Sequence, residues 1–542
     1  MTYTDCSESH TQTIAIHFIV VLCVWFLSSA DMFSQRCYHL SLTDKSGTSG
    51  RISQPEAYLS KRAINRRARQ NIRIDSTDLP VSEVYLSQLK ALGCTIRHVS
   101  RWQNAVTIQV PADFDTTAIS RLPYIRQMEL TRDYSEPDTK RIRARKLHVQ
   151  TADIAADTAT YGLSAQQTGM IGLESLHHAG YTGAGMLIAV LDNGFQGSDK
   201  AEAMSHLQEH IVDQNDFAHY PPHDVMTIGE HGTYVLSTMA ARAGDMVGTA
   251  PDADYALYVT EEDEGENLIE IDNLIAGLER ADSIGADVVT ISLGYLTFDI
   301  AESSYAYEQT DGQTRGSMAA TTAARKGMLV CIAAGNDGAR PYHLRHICIP
   351  ADADSILCVG SVDDNGGHSS FSSIGPSYNQ RVKPDVCTMG RNAAAIHPFT
   401  GQAVRVNGTS FATPIMAGAA TCAWQAHPEL TAMQLREQII LHASQSARPD
   451  SLSGYGIPDM SHFAPAANSA LHNLHQAAES VYPNPVTDWL FIDGSHSPAW
   501  QLYTMDGRVV RRGREAAIDF RSMPAGVYLL QINNSMHKII RQ

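Results

Sequence analysis

Cysteine is scarce in this chain, and its spacing excludes two classes of protein. The 542 residues contain nine cysteines, too few for a small disulfide-rich scaffold. No two of them stand at the Cys-x-x-Cys spacing of a structural zinc site, so such a site is not expected. At most one or two disulfides stay open, with Cys331 or Cys358 pairing with Cys348 as the candidates.

The chain also has fewer basic than acidic residues. Lys and Arg number 41 against 58 Asp and Glu, which leaves a formal net charge of -17. Because binding to a phosphate backbone needs a basic surface, no nucleic acid is expected as the main partner. A basic cluster near the N-terminus is interpreted as docking on an acidic neighbouring domain, or as a solvated helix face. Its members are Lys61, Arg62, Arg66, Arg67 and Arg69.

The apolar run near the N-terminus is too short to cross a bilayer comfortably. It extends from Ile14 to Leu27, and small residues follow it up to Ala30. We interpret residues 1–34 as a secretory signal peptide, cleaved after Ala30 or Ser34. A buried helix remains the alternative, since no Lys or Arg precedes the run. The mature chain is expected to have no transmembrane segment.

The length exceeds what one core needs, and the pattern divides the rest of the chain into three domains. Residues 35–131 alternate strands near 38–42, 95–99, 105–110 and 125–130 with helices at 55–70 and 82–92, which predicts a small α/β domain. Residues 132–149 are polar and basic, as in a cleavable linker.

Residues 150–462 alternate strands and helices throughout, which predicts an α/β domain with a doubly wound parallel sheet. Residues 463–480 are interpreted as a second linker. Residues 481–542 contain short alternating strands between Asp-Gly and Pro-Ala-Gly turns, which predicts a small C-terminal β-sandwich.

One stretch near the three-quarter point organises the chain. Residues 407–414 predict a loop that leads into a buried helix, with Gly408 at a sharp turn and Pro414 near the helix start. Ser410 would lie at the helix N-terminus, where unpaired N–H groups and the helix dipole stabilise negative charge beside its hydroxyl. Many serines in such positions are only N-caps, so a catalytic serine needs partners elsewhere.

Three further polar residues are predicted at the ends of buried elements. Asp192 follows the apolar strand 186–191, His231 opens a helical run, and Asn336 follows the strand 328–334. The carboxyl ends of parallel strands face the crevice where open sheets bind ligands, so these side chains and Ser410 are expected to meet.

These residue types are the components of acyl transfer. The hydroxyl of Ser410 would attack, the imidazole of His231 would take its proton, and Asp192 would fix the imidazole tautomer. The amide of Asn336, together with the backbone N–H of Ser410, would stabilise the oxyanion.

The same blocks resemble the subtilisin-like (S8 family) serine proteases. The resemblance rests on residues 191–194, 231–233, 333–336 and 408–414. It implies a secreted serine endopeptidase with this catalytic set. The chain departs from the family pattern without replacing a catalytic group, which bears only on the subfamily and the shape of the cleft. The departures are Asn193, Tyr234 and Ile415.

The resemblance also implies a substrate cleft. Backbone groups of Ser292 and Gly294 would pair with an extended peptide by strand addition. An ordinary strand end and turn is the alternative for this segment. The implied substrate-binding residues are Ser292, Leu293, Gly294, Ala333, Ala334 and Gly335.

The domains before and after residues 150–462 each resemble a known domain of secreted proteins. Residues 35–131 resemble the leader domains of secreted bacterial subtilisin-like proteases, which implies a zymogen whose own propeptide covers the cleft. Residues 481–542 resemble the sorting domain of the type IX secretion system of Bacteroidetes. This implies secretion machinery as a partner and a secreted or outer-membrane cell-surface location. An ordinary β domain that binds substrate is the alternative.

The expected chemistry requires no cofactor, and no residue is assigned to a metal. The acidic run 261–266 could hold a structural calcium ion, although a solvated loop is the favoured interpretation. We therefore expect an endopeptidase that hydrolyses protein or peptide substrates. The alternatives are a catalytically silent surface binding protein on a protease scaffold, and an esterase or amidase that uses the same triad.

Overall fold

The computed structural model describes residues 35–135, 160–243, 245–263, 265–341, 344–465, 481–492, 499–504, 508–532 and 535–542. The chain divides into two compact units, Met1–Ala464 and Pro465–Gln542. The predicted signal peptide and most of both predicted linkers lie outside the described residues. Among the helices that the structure describes, none combines the length and the apolar character that a bilayer crossing needs.

The first part of the larger unit contains a four-stranded antiparallel sheet, and two of its three helices pack on one face of that sheet. Its elements are β1 (Gln35–Leu42), α1 (Lys61–Arg69), α2 (Glu83–Ala91), β2 (Thr95–Ser100), β3 (Ala105–Pro111), α3 (Thr117–Ser120) and β4 (Ile125–Asp133). The strand order is β2-β3-β1-β4. The paired residues Leu40 and Val106 lie in the apolar core, whereas their neighbours His39 and Thr107 point to the opposite face. This alternation follows from the two-residue period of a strand.

The second part of the unit contains most of the elements. They are α4 (Ala165–Met170), α5 (Glu174–His178), β5 (Leu187–Asp192), β6 (Ile211–Asp216), α6 (His231–Ala240), β7 (Arg242–Ala243), β8 (Met246–Val247), β9 (Asp254–Val259), α7 (Ile269–Ile284), β10 (Val288–Ile291), α8 (Arg315–Arg325), β11 (Leu329–Ala333), β12 (Leu357–Val362), β13 (Val386–Met389), β14 (Ala393–Ile396), β15 (Ala403–Val406), α9 (Thr409–Ala426) and α10 (Ala432–Leu441). Short 3-10 helices in the larger unit are Pro55–Ala57, Ser76–Asp78, Glu202–Glu209, Ala301–Ser303, Tyr307–Gln309 and Met460–Phe463.

Seven of these strands form one parallel sheet in the order β13-β12-β11-β10-β5-β9-β6. Alternate residues of β5 point into two separate apolar cores: Ile188 and Val190 face one, and Ala189 and Leu191 face the other. Helices α6 and α9 cover the first face, and α7 and α8 cover the second. The continuous apolar run of β5 reflects this double burial. The predicted doubly wound α/β fold is confirmed.

The order of the strands reverses between β5 and β10. From β5 the chain proceeds to β6 and β9 on one side, and then to β10, β11, β12 and β13 on the other. At such a point the loops that leave adjacent strands diverge and open a crevice at their carboxyl ends. Asp192 ends β5 and Ser292 follows β10, so both lie at the mouth of this crevice.

The C-terminal unit consists of two sheets that share one apolar core. Its strands are β16 (Val481–Tyr482), β17 (Trp489–Ile492), β18 (Trp500–Thr504), β19 (Val509–Gly513), β20 (Ala517–Asp519), β21 (Gly526–Ile532) and β22 (Ser535–Arg541). The sheets have the orders β16-β17-β20 and β19-β18-β21-β22. Leu502 and Leu530 pair across β18 and β21 and lie in the core. This agrees with the predicted small β-sandwich.

The basic cluster on α1 docks on α7. Arg66 and Arg67 both donate to the carboxylate of Asp282, and Arg62 pairs with Asp287 just before β10. The side chains of Arg66 and Arg67 are 0% and 1% exposed, so a solvated helix face is wrong for these two residues. The docking interpretation is the one that the contacts support.

The described cysteines form no disulfide, and one residue of the acidic run is buried. No disulfide joins any of the seven cysteines in the described part of the chain, so the pairings considered for Cys348 are absent there. Within the acidic run, Glu262 is buried against the end of the N-terminal domain, where Tyr134 donates to it at 3.0 Å. Burial raises the pKa of Glu262 above its ordinary value, while Arg132 and Arg97 oppose that effect. A solvated loop is therefore wrong for this residue.

Candidate active site

The backbone before Ser410 adopts a conformation that glycine favours. Gly408 has φ 155° and ψ 150°, and α9 begins at the next residue, Thr409. A residue with a Cβ atom rarely adopts such angles. The sharp turn predicted at Gly408 is thus present, and it places Ser410 in the first turn of a helix, where backbone N–H groups lack partners within the helix.

Pro414 lies farther inside the helix than the sequence suggests. α9 continues through Pro414 to Ala426. Because proline has no N–H, the carbonyl of Ser410 lacks its usual donor four residues later. The hydroxyl of Ser292 replaces that donor at 2.8 Å, and the hydroxyl of Ser410 donates in turn to the carbonyl of Ser292 at 3.2 Å. These reciprocal hydrogen bonds fix Ser410 beside the end of β10.

His231 and Asp192 are directly hydrogen-bonded. The distance between His231 Nδ1 and Asp192 Oδ1 is 2.7 Å, and the carboxylate is fully buried. The backbone N–H of Asn193 donates to the same carboxylate oxygen at 2.9 Å. A buried carboxylate in this position holds a proton on Nδ1 and leaves Nε2 as the basic nitrogen.

Gly232 allows this close approach. A Cβ atom at this position would lie 2.3 Å from the carbonyl oxygen of Gly194 and 3.0 Å from Cβ of Asp192. Any larger residue would therefore push α6 away from the end of β5 and pull His231 away from Asp192. Sterics therefore explain why glycine follows His231 in the sequence.

The imidazole of His231 also lies against the helix that carries the serine. Its ring centroid is 5.7 Å from that of Phe411, the residue after Ser410. Ser410 itself is 6% exposed, so a small part of the residue faces solvent. The structure thus brings the predicted hydroxyl, imidazole and carboxylate to one edge of the sheet.

Asn336 joins this group through Thr409. The backbone N–H and the hydroxyl of Thr409 donate to Asn336 Oδ1 at 2.7 Å and 2.8 Å. Because both bonds use the carbonyl side of the amide, the orientation of the Nδ2 donor is fixed. Nδ2 lies 3.6 Å from where a Cβ atom of Gly408 would be, next to the residue pair that precedes Ser410.

The residues expected to bind substrate surround this group but differ in what they can offer. The backbone N–H and C=O of Ala334 are both used within the domain, by Val359 and Cys348 at 3.0 Å each. Ala334 can therefore line the cleft, but its main chain is not available to bind a peptide. Among the described residues, no hydrogen bond engages the main chain of Gly294, which leaves it available for a peptide. Ser292, Leu293, Ala333 and Gly335 are buried beside these two.

Sequence reasoning missed two contributors. Thr409 orients Asn336 by donating to its side-chain carbonyl. The position of Thr409 between Gly408 and Ser410 is the sequence signal that could have identified it. Asn193 donates to Asp263 Oδ1 at 3.0 Å and thereby ties the loop after Asp192 to the acidic run. No sequence signal marks the second contact, because the partners are 70 residues apart.

Family models match three regions of the chain. Residues 183–456 match the model described as the subtilase family. Residues 37–146 match the peptidase S8 propeptide domain of Bacteroidota. Residues 480–542 match the secretion system C-terminal sorting domain. The three matches follow the order of the domains described above.

Curated relatives cover the middle of the chain. Subtilisin BL from Lederbergia lenta is 30% identical over 305 residues, which are 56% of this chain and 97% of that protein. Subtilisin DY from Bacillus licheniformis is 29% identical over 287 residues, 52% of this chain and 91% of that protein. Among solved structures, the MycP3 protease from the type VII (ESX-3) secretion system is 22% identical, with a TM-score of 0.46; the match covers 59% of this chain and 93% of that one.

Proposed function

The chain belongs to the subtilase family of serine peptidases, and from this premise we propose that it hydrolyses peptide bonds through an acyl-enzyme on Ser410. His231 Nε2 takes the hydroxyl proton as the oxygen attacks the scissile carbonyl carbon, and later gives that proton to the leaving amine. Water then attacks the acyl-enzyme by the same route in reverse. Asp192 holds the imidazole in the required tautomer.

The contact between His231 and Asp192 supports this proposal most strongly. A solvent-exposed pair would be a common surface feature, but this carboxylate is fully buried and lies 2.7 Å from the imidazole. Burying a carboxylate is costly unless a partner compensates for it. An imidazole that is held by a buried carboxylate and lies against the helix bearing Ser410 is suited to act as the base in acyl transfer.

The oxyanion of the tetrahedral intermediate would lie between two donors. One is Nδ2 of Asn336, whose orientation Thr409 fixes, and the other is the backbone N–H of Ser410 in the first turn of α9. Preorganised donors of this kind supply a large share of the rate enhancement. The proposed chemistry uses only these protein groups and no cofactor.

The sorting domain indicates that the chain is secreted or attached to the cell surface. Its proposed substrates are therefore proteins or peptides outside the cell, bound along the main chain of Gly294 by strand addition. We also propose that the N-terminal domain covers the cleft until the segment after Ser135 is cut, as expected for a zymogen.

Labelling with a fluorophosphonate probe tests the proposal, since the probe reacts only with an activated serine. The processed enzyme should be labelled and should cleave a peptide library. Ser410→Ala and His231→Ala should lose labelling and turnover. His178→Ala, which changes a histidine in α5 outside the site, should retain both.

The outcomes separate the competing functions. Peptide cleavage by Ser410→Ala at the wild-type rate would refute the assignment of the nucleophile. A wild-type protein that is not labelled would instead be a silent binding protein. Hydrolysis of simple esters without peptide cleavage would identify an esterase that uses the same groups.

A further inference from the structure

A second cluster of reactive side chains lies at the carboxyl end of the edge strand β6. Asp216 ends this strand, and His219 and His223 follow in the loop. One potential ligand atom from each residue lies within 4.8 Å of the others, and no other group of three such residues was found in the described part of the chain. We propose that these three side chains bind one divalent transition-metal ion of the zinc class.

Backbone hydrogen bonds hold the carboxylate of Asp216 in a fixed position for metal binding. It is buried, and three backbone N–H groups hold it in place: those of Ala218 and His219 donate to Oδ1 at 3.0 and 3.1 Å, and that of His223 donates to Oδ2 at 2.8 Å. A carboxylate oxygen has two acceptor positions, so Oδ2 can still bind a cation. The loop therefore wraps around a fixed anionic ligand.

The two imidazoles approach the same oxygen. Nδ1 of His219 lies 3.0 Å from Asp216 Oδ2, and Nδ1 of His223 lies 3.9 Å from it. In a tetrahedral zinc site with bonds of about 2.0 to 2.1 Å, ligand atoms lie about 3.3 Å apart. His219 is already near that spacing. His223 Nδ1 lies about 0.6 Å outside that spacing from Oδ2, and its 49% exposed side chain can move closer.

The loop itself limits the cost of this arrangement. Pro221 and Pro222 stand between the two histidines and fix the backbone φ angles there, so less conformational freedom is lost when both rings converge. The rings already face each other, with centroids 4.6 Å apart. On binding, the hydrogen bond between His219 and Asp216 would be lost, and each of the two side chains would instead bind the ion directly.

The ligand types define the class of ion. Imidazole nitrogen suits zinc, copper, nickel and cobalt, whereas calcium prefers oxygen ligands alone. The zinc sites that the cysteine spacing excludes are of a different kind. This cluster contains no cysteine, and its Asp216 comes from the strand that precedes the two histidines.

The site would persist after the N-terminal domain leaves. All three ligands lie after residue 160, beyond the predicted linker. The same loop nevertheless contacts that domain, since Arg97 donates to the carbonyl of Ala218 at 2.7 Å and lies 5.6 Å above the ring of Tyr220. A bound ion would therefore stabilise the loop that Arg97 contacts, although the N-terminal domain contributes none of the three ligands.

A matched control exists on the same edge strand. His210, just before β6, lies 3.2 Å from Asp254 and is 29% exposed, close to the values of 3.0 Å and 28% for His219 and Asp216. His206 precedes it at the same four-residue spacing, but its Nε2 lies 3.1 Å from the carbonyl of Pro251 and does not join the pair. This second His–Asp pair lacks a third converging ligand.

The experiment uses the full chain, stripped of metal with a chelator and dialysed. Calorimetric titration with Zn²⁺ should show one equivalent bound. His219→Ala and His223→Ala should each weaken binding at least tenfold, the scale on which even outer-shell partners act, and the double variant should lose the site. His210→Ala should bind as the wild type does. Thermal unfolding of each variant without metal checks that the fold is intact.

Co²⁺ identifies the ligands independently. A spectrum of a site with nitrogen and oxygen ligands, lost in the double variant, supports the proposal. A thiolate-to-cobalt charge-transfer band would place the ion on cysteines and overturn it. The proposal also fails if the wild type shows no saturable Zn²⁺ binding, or if the double variant binds with unchanged affinity.

Discussion

Asp282 offers a direct test of what holds the N-terminal domain on the catalytic domain. This fully buried residue of α7 accepts hydrogen bonds from Arg66, Arg67 and Arg101, all of which belong to the N-terminal domain. Burial alone would raise the pKa of Asp282, but the three guanidinium groups outweigh burial and hold the pKa below the ordinary aspartate value. The carboxylate is therefore charged when the domains are docked.

The change Asp282→Asn keeps the shape of the side chain and removes its charge. Three guanidinium groups would then stay buried without their shared counter-ion. Removing one partner of a buried ion pair costs about 3 to 5 kcal/mol. At about 1.4 kcal/mol for each tenfold change, the dissociation constant of the two domains should rise roughly 100- to 5,000-fold.

The measurement requires an inactive chain whose linker can be cut. In a Ser410→Ala background, an arginine- or lysine-specific protease cuts within the basic stretch 140–146, and gel filtration or surface binding then reports dissociation. Asp213→Asn is the control, because Asp213 accepts two hydrogen bonds at 2.8 Å from Arg280, also within the catalytic domain. Arg280 is 48% exposed, so this pair should contribute under about 1 kcal/mol and leave docking unchanged.

A dissociation constant for the Asp282→Asn protein within about threefold of the wild-type value would refute the reasoning, provided that the variant unfolds at the wild-type temperature. Apolar contacts such as those of Trp102, which packs in the catalytic core, would then hold the domain in place.

Two further predictions concern the oxyanion donor and the pH dependence of docking. Asn336→Ala should lower kcat on a peptide about 10²- to 10³-fold with little change in KM, a magnitude already known for subtilisin and not worked out from this structure. Burial lowers the pKa of His98 to about 4, and Arg97 adds to the effect, while Asp272 and Asn273 oppose it. The docked domain thus excludes a proton that a free imidazole with a pKa of about 6.5 would bind. The contribution of His98 to docking should be fully present above that pH and should fall toward pH 4, by no more than about 300-fold.

Each of these predictions has its own control. Asn379→Ala alters an asparagine of a surface turn and should leave kcat unchanged, and an equal loss in both variants would contradict the oxyanion role of Asn336. His98→Gln retains a side chain that can contact Asn273, which lies 2.7 Å from His98 Nε2, and should flatten the pH dependence of docking. If the wild type and this variant show the same pH profile, His98 is not the group that titrates.

The architecture could be predicted because its strands are buried on both faces. Continuous apolar runs such as β5 leave little choice of structure, and the alternation of strands and helices then predicts a doubly wound parallel sheet. The hydrophobic pattern does not locate a boundary that capping decides. The sequence predicts one helix over 55–70, but α1 begins at Lys61, because the hydroxyl of Ser60 accepts from the N–H of Ala63 and caps the helix. A separate 3-10 helix precedes it at Pro55–Ala57.

The candidate site could be located from short blocks of sequence because each one marks the end of an element. Gly232 and Gly408 are needed for close approach and for an unusual backbone angle, so the blocks carry steric information as well as chemistry. The contacts between blocks could not be predicted. Nothing local indicates that Ser292 compensates for the N–H that Pro414 lacks, since the two residues come together only in the folded sheet.

The burial of Glu262 shows where the N-terminal domain meets the crevice. β4 ends just before Tyr134, which donates to Glu262, and Glu262 follows β9, whose last residue Val259 pairs with Asp192. The segment after Ser135 therefore starts at the sheet edge that carries the proposed catalytic aspartate. A tethered segment that spans the distance to a site reaches an effective concentration near millimolar. We therefore propose that the chain's own serine, rather than another enzyme, cuts the linker, so that the Ser410→Ala chain should stay uncut.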